Sequence, residues 1–376
     1  MFPPRPLTRV ATLMLVGVLA ACGASSENTA STGAAEATSG GAATAPSTTT
    51  SDSSSAKSEA AAFPVTIKHA FGETTIAAKP ERVATVAWAN HEVPLALGVV
   101  PAGMAKATWG DDDGDGILPW VEDKLTELGG ETPALFDETD GIDFEGVANT
   151  NPDVILASYS GLSQEDYDQL SEIAPVVAYP ETAWTTSMDE MITMNAEAIG
   201  MKGEGEQLVA DLTTQVTASA AEHPALQGKT ALFAWVDPKD MSKIGYYTTG
   251  DPRAALLEQV GLDTAQVVKD NADATNFFQE ISAEEVDKLA DVDIIVTYGD
   301  DTGELLKTLQ GNDLLATIPA VKNGAVVSLV DNTPLAAAAN PSPLELERLQ
   351  RRMHGSPSGL IVAPAMPVGV ARRHSI

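Results

Sequence analysis

The sequence predicts an α/β protein of two lobes, and three observations predict it. A theme of short apolar strand, turn and amphipathic helix runs from Phe63, stops, and restarts near Thr230. The interval between the two runs reads as helix. A chain of 376 residues also exceeds one ordinary core, so two lobes with non-globular ends are expected. Strands that alternate with helices imply mainly parallel sheets.

The elements follow in order. Val65, Ile67 and His69 alternate into a turn at Phe71 and Gly72, and Glu73 to Ile76 returns as a strand. Arg82 to Trp88 is a β-branched run, and a helix from His91 to Leu97 stops at Gly98. Val99 to Ala105 is the next strand. Asp143 to Asn149 reads as helix, Asn151 and Pro152 end it, and Val154 to Ala157 is a buried strand. Gln164 to Ile173 (helix) and Val176 to Tyr179 (strand) close a first lobe, placed at 63–186.

The middle segment, 187–228, is helical. Met188, Met191, Ile192, Asn195, Ala198 and Ile199 share one face, and glycines at 200, 203 and 205 are expected to interrupt. Glu206 to Glu222 then continues for about 25 Å, enough to cross between lobes. The second lobe, 229–344, holds strands Thr230 to Val236, Val292 to Thr297 and Ala325 to Leu329. Its helices follow Asp251 and Pro252, span Ala283 to Leu289, and form a short pair after residue 300.

Both ends differ from this body. Arg5 and Arg9 precede the apolar run Val10 to Ala20, which is too short to span a bilayer and has the layout of a secretory signal, 1–21. Leu19, Ala20, Ala21 and Cys22 resemble the lipobox of bacterial lipoproteins, which implies cleavage before Cys22 and lipidation of its thiol. Cys22 is the single cysteine, so no thiol is left for a disulfide or thiolate metal site. Residues 22–62 are rich in Ser, Thr, Ala and Gly and are expected to form a disordered tether with a reach of roughly 35 Å. Residues 345–376 shift abruptly to arginine: Arg348, Arg351, Arg352, Arg372 and Arg373, against Arg82 and Arg253 in the body. Such a shift reads as a frameshifted or a divergent tail.

A net charge of −31 makes nucleic acid an unsuitable partner and is expected of a solvated surface. No G-x-S-x-G, H-E-x-x-H or phosphate loop is present, so an enzyme has no positive support.

Several blocks in sequence order carry a family resemblance. They are Phe63 to Ile76, KPERV (Lys79 to Val83), HEVPLALG (His91 to Gly98), NPDVILAS (Asn151 to Ser158), GDPRAALLEQVGL (Gly250 to Leu262) and ADVDIIVTYG (Ala290 to Gly299). Together they resemble the iron-siderophore, haem and cobalamin class of ATP-binding-cassette substrate-binding proteins. The resemblance implies two Rossmann-like lobes joined by a single long interlobe helix, with a ligand cleft between them. It implies a monomeric, lipid-anchored receptor on the outer face of the cytoplasmic membrane that delivers a ferric siderophore to a permease and needs no cofactor. Haem or cobalamin as ligand, and a sensory or adhesin-like lipoprotein on the same fold, stay open as alternatives. One glutamate on each lobe is then expected to meet the permease, at Glu92 and Glu258.

In open α/β sheets ligands bind beyond the carboxyl ends of strands. Trp88, Tyr159, Trp235 and Tyr298 fall at such ends, and Trp109, Trp184, Tyr246 and Tyr247 in adjoining loops. Flat side chains with phenol or indole donors suit the shell of a ferric siderophore, although half of such residues can equally be core. His91 is a candidate ligand contact or haem ligand at a strand end. Arg253 stands in the first turn of a helix capped by Asp251, where the dipole disfavours a cation, so an anionic partner is required. That partner is either the ligand's oxygens or Asp251 itself. Finally, Asp111, Asp113, Asp115 and Glu122 satisfy the spacing of a calcium loop, against which stands an ordinary solvated acidic loop.

Overall fold

The computed structural model describes residues 63–271, 276–300 and 302–346, all within one compact unit, Ser58–Ile376. Cys22, the tether and the residues after 346 lie outside them.

The first lobe opens on a hairpin of β1 (Val65–His69) and β2 (Gly72–Ile76), paired antiparallel with Val65 opposite Ile76. Val65, Ile67 and His69 are buried and Thr66 and Lys68 exposed, the period of two that the sequence shows. Then follow β3 (Val83–Thr85), α1 (Glu92–Ala96), β4 (Gly103–Ala105), α2 (Pro119–Leu128) and β5 (Ala134–Phe136). The lobe finishes with α3 (Phe144–Asn149), β6 (Val154–Ala157), α4 (Gln164–Ser171) and β7 (Val176–Ala178). The sheet order is β5-β4-β3-β6-β7, every pair parallel. The chain therefore reverses direction across the sheet at β3 and β6. The turns leaving these two strands diverge and open a crevice at their carboxyl ends.

The helices start where their caps dictate. Ser163 caps α4 with Asp166 reciprocating, and Ser187 caps α5 (Met188–Ala198) with Glu190 reciprocating. Gly200, at φ 74°, breaks the chain, and α6 then runs Lys202–Ala221. The expected start at Glu206 is corrected: Gly203 and Gly205 lie inside the helix. A Cβ on Gly205 would fall 2.4 Å from the Ala196 Cβ, so the glycine is a close-packing residue between α5 and α6.

The second lobe contains β8 (Thr230–Asp237), β9 (Asp240–Tyr247), α7 (Pro252–Gln259), β10 (Asp263–Thr264), α8 (Gln266–Lys269) and β11 (Phe278–Ser282). After a 3-10 segment at Ala283–Leu289 come β12 (Ile294–Gly299), α9 (Glu304–Gly311), α10 (Pro319–Asn323), β13 (Val326–Val330) and α11 (Pro334–Ala338). The order is β11-β9-β8-β12-β13, with β10 also beside β8. β12 is parallel to both its neighbours, whereas β9 and β11 are antiparallel, so this sheet is mixed.

One core cluster crosses between the lobes, uniting Ala89, Val93 and Tyr159 with Phe233, Tyr247 and Val296. The chain then returns. Ala337 and Ala338 of α11 and Leu344 pack with Leu95, Trp120 and Val121 of the first lobe. Gly110, at φ 85°, permits this approach, since its Cβ would lie 2.5 Å from that of Ala337.

Candidate functional site

The carboxyl ends of β3 and β6 place Trp88 and Tyr159 at the interlobe junction, and Asn90 ties the two turns together. The Asn90 amide donates to the carbonyls of Val86 (2.8 Å) and Tyr159 (2.9 Å). Its oxygen accepts from Tyr159 N (3.1 Å), Ser158 Oγ (3.2 Å) and Asn195 Nδ2 (3.1 Å). A fully buried amide with every group engaged is a rigid fixture. Nothing in the sequence around Asn90 marks it.

An aromatic series crosses the junction. Trp88 and Trp109 lie 6.1 Å apart, Trp109 meets Tyr298 of the second lobe edge-on at 5.5 Å, and Tyr298 lies 5.5 Å from Phe233. Phe233 contacts Tyr247, which contacts Phe278, each at 5.4 Å. On the first lobe Tyr159 meets Trp184 edge-on at 5.4 Å. Trp88, Trp109, Trp184, Phe278 and Tyr298 are all partly exposed and pack against the interlobe core cluster. The Trp109 indole donates to Asp331 (3.0 Å) and Gly110 N to Asn332 (2.9 Å), so polar bonds also span the lobes.

Arg253 is the charged centre. It is 4 % exposed, and Asp251 is 0 % exposed. The guanidinium donates through Nε and Nη2 to both Asp251 oxygens at 2.9 Å, and its carbon sits 4.1 Å above the Tyr247 ring. Asp251 thus serves as cap and counter-ion at once, and the anion required by the helix position is present within the chain. Burial pushes the Asp251 carboxyl up, while Arg253 draws it back. Burial also raises the hydroxyls of Tyr159, Tyr247 and Tyr298, so all three keep their protons and can donate. Asn340 donates to the Tyr159 hydroxyl at 3.3 Å. Arg253 also lies beside the Tyr298 hydroxyl, and Asn340 Oδ1 has no hydrogen-bond partner among the described residues.

Several expected positions are corrected. Tyr246 and Tyr247 belong to β9, not to a loop, and successive strand residues face opposite ways. Tyr247 therefore joins the interlobe cluster, while Tyr246 is buried on the far face of the sheet with its hydroxyl bonded to Asn271. Trp235 shares the Phe233 face of β8 but makes none of the ring contacts among the described residues. His91 is 7 % exposed, burial lowers it to about 4, and its neutral ring is enclosed rather than displayed as a haem ligand.

Glu92 is the clearest correction. It is 1 % exposed, accepts from Trp120 Nε1 (2.7 Å) and Leu344 N (3.1 Å), and burial pushes it up to about 7. It fastens the segment after α11 to the first lobe and is enclosed rather than displayed to a permease. Glu258 is exposed on α7, hydrogen-bonded by Thr264.

Of the four calcium-loop residues, Asp111, Asp113 and Asp115 converge within 4.8 Å. Glu122, in the first turn of α2, is not one of that group. The loop's own N–H groups take up Asp111, Asp113 and Asp115, as at Gly116 N to Asp111 (2.7 Å) and Ile117 N to Asp115 (2.8 Å).

Comparison with known proteins gives a consistent result. The profile of the periplasmic binding protein family matches residues 83–333. The crystal structure of PiaA from Streptococcus pneumoniae in complex with ferrichrome is 44% identical, with TM-score 0.74, covering 80% of this chain and 98% of that one. A periplasmic solute binding protein from Mycobacterium smegmatis is 26% identical, with TM-score 0.61, over 77% of this chain and 95% of its own. A Bacillus subtilis protein described as a putative ABC transporter substrate-binding lipoprotein, YhfQ, is 25% identical over 77% of this chain and 88% of its own.

Proposed function

Because the chain belongs to the periplasmic binding protein family, we propose that it captures a ferric siderophore outside the cell and delivers it to the permease of an ABC importer. The observation that carries this reading is the interlobe aromatic wall built around the buried Arg253–Asp251 pair. A ferric siderophore is an apolar body whose iron-bound oxygens accept hydrogen bonds. Protonated Tyr159, Tyr247 and Tyr298 supply donors, and the indoles of Trp88, Trp109 and Trp184 supply flat apolar contact. The guanidinium N–H groups not spent on Asp251 supply a fixed cationic edge. Likeness to PiaA, a ferrichrome-bound protein, supports a hydroxamate cargo.

The Leu19–Cys22 motif, together with the lipoprotein relative in Bacillus subtilis, supports lipidation at Cys22 and a location on the outer face of the membrane. Exposed Glu258 is the remaining candidate for contact with the permease. Quenching of tryptophan emission by ferrichrome, ferric citrate-type siderophores, haem and cobalamin tests the reading. Saturable quenching by a ferric siderophore at or below micromolar concentration is expected. Saturation by haem or cobalamin alone would replace it.

A further inference from the structure

Trp88 is held on a backbone that costs free energy. Its neighbours Ala87 and Ala89 both sit in the left-handed region, at φ 61° and 59°. A residue with a Cβ gives up about 1–2 kcal/mol there, and two such residues flanking one side chain persist only if their surroundings impose the conformation. Two side chains do so. From below, the Asn90 amide holds the carbonyls of Val86 and Trp88. From the side, Glu138, two residues beyond β5, accepts the Ala87 N–H at both carboxylate oxygens, at 2.9 and 3.2 Å. Glu138 is half-buried, and its carboxylate lies in the loop after β5 with both oxygens turned to the Ala87 N–H. The turn it grips carries Trp88, first in the aromatic series that reaches Tyr298 across the lobes.

We infer that Glu138 is a positioning residue: it clamps the strained Ala87–Trp88–Ala89 turn and thereby fixes the Trp88 indole in the cleft wall. It acts on cargo only through Trp88, and that part of the inference rests on the proposed function.

The test separates clamping from general stability. With 5-fluorotryptophan the five tryptophans give five fluorine resonances, and Trp88→Phe identifies the Trp88 line. Glu138→Ala should shift or broaden that line while leaving Trp120 unmoved, and should weaken ferrichrome binding about 10-fold, the scale of releasing one strained residue. If Glu138→Ala does not fold, Glu138→Gln, which keeps one acceptor, should give a smaller change of the same kind. Placing glycine at both flanking positions, Ala87→Gly with Ala89→Gly, removes the strain. Glu138→Ala in that background should then move the Trp88 line much less. An unmoved Trp88 line in Glu138→Ala, or an equal shift with and without the glycines, overturns the inference. If the unaltered protein does not bind ferrichrome, the cargo reading fails by itself and the fluorine spectra still decide the clamp.

Discussion

At Arg253 the sequence posed a choice between a ligand's oxygens and Asp251 as the anionic partner. The structure supplies Asp251 and still leaves the guanidinium beside Tyr159, Tyr247 and Tyr298. The energetic expectation changes accordingly. Arg253→Ala would strand a carboxylate that is fully buried, and breaking a buried pair costs about 3–5 kcal/mol. A melting temperature lower by roughly 6–20 °C is therefore expected, so weaker binding by that variant would not identify a ligand contact. Arg253→Lys is the informative change. It keeps a cation for Asp251 and loses the planar fork, so most of the stability should remain while ferrichrome affinity falls about 10-fold. Calorimetry and titration on one preparation check this, and affinity equal to wild type would remove Arg253 from the cargo site. Arg253 was legible because a cation in the first turn violates the dipole rule. Asn90, Glu138 and Asn340 were not, because an ordinary polar residue acquires its role only from distant partners such as Asn195, Ala87 and Tyr159.

Among the elements, the β-branched run Arg82 to Trp88 forms strand only over Val83–Thr85, whereas α4 with its capping box and the buried strand β6 were legible to within a residue or two. β9 was not: it starts on polar Asp240, Ser242 and Lys243 at an exposed end, and only Ile244 onward is buried. That omission misplaced Tyr246, whose face is set by strand parity. α1 brings a different consequence, since it carries Glu92 indoors beside His91. Burial raises Glu92 to about 7 from an ordinary 4.5, so the folded state holds a proton that the unfolded state has released. The associated stability is present below about pH 4.5 and lost as pH rises through 7. His91, lowered to about 4, and His69, also lowered by burial, act with the opposite sign: their contribution is lost as pH falls below 6.5. Glu138, likewise raised to about 7, adds to the Glu92 trend. The opposed groups obscure the net slope, so the difference between proteins is the useful quantity. The melting temperature of Glu92→Gln relative to wild type should rise between pH 5 and 8, by roughly 5 °C for a contribution on the order of 2 kcal/mol. A difference that does not vary with pH would show that Glu92 is ionised alike in both states.

For the whole molecule, the two-lobe plan followed from one repeated pattern and its helical interruption. The return of the chain was hidden: α11 and Leu344 pack on the first lobe through Ala337 and Ala338, and small apolar residues give no sign of which core receives them. This return, with the Trp109–Asp331 and Gly110–Asn332 bonds, ties the lobes at points other than α5 and α6. Such ties accord with a receptor whose cleft is largely formed before cargo arrives, where aromatic walls contribute affinity without a large ordering cost. On the proposed function, a ferric siderophore occupies the space between Trp88 on one lobe and Tyr298 on the other. Isothermal titration of the intact protein and of a Trp88→Ala, Tyr298→Ala double variant with ferrichrome tests it most directly. One site per chain with micromolar or tighter affinity is expected, weakened at least 100-fold in the variant, which should melt at a lower temperature but remain folded by circular dichroism at the titration temperature. Equal affinity in the two proteins, or no heat with any ferric siderophore, would contradict it.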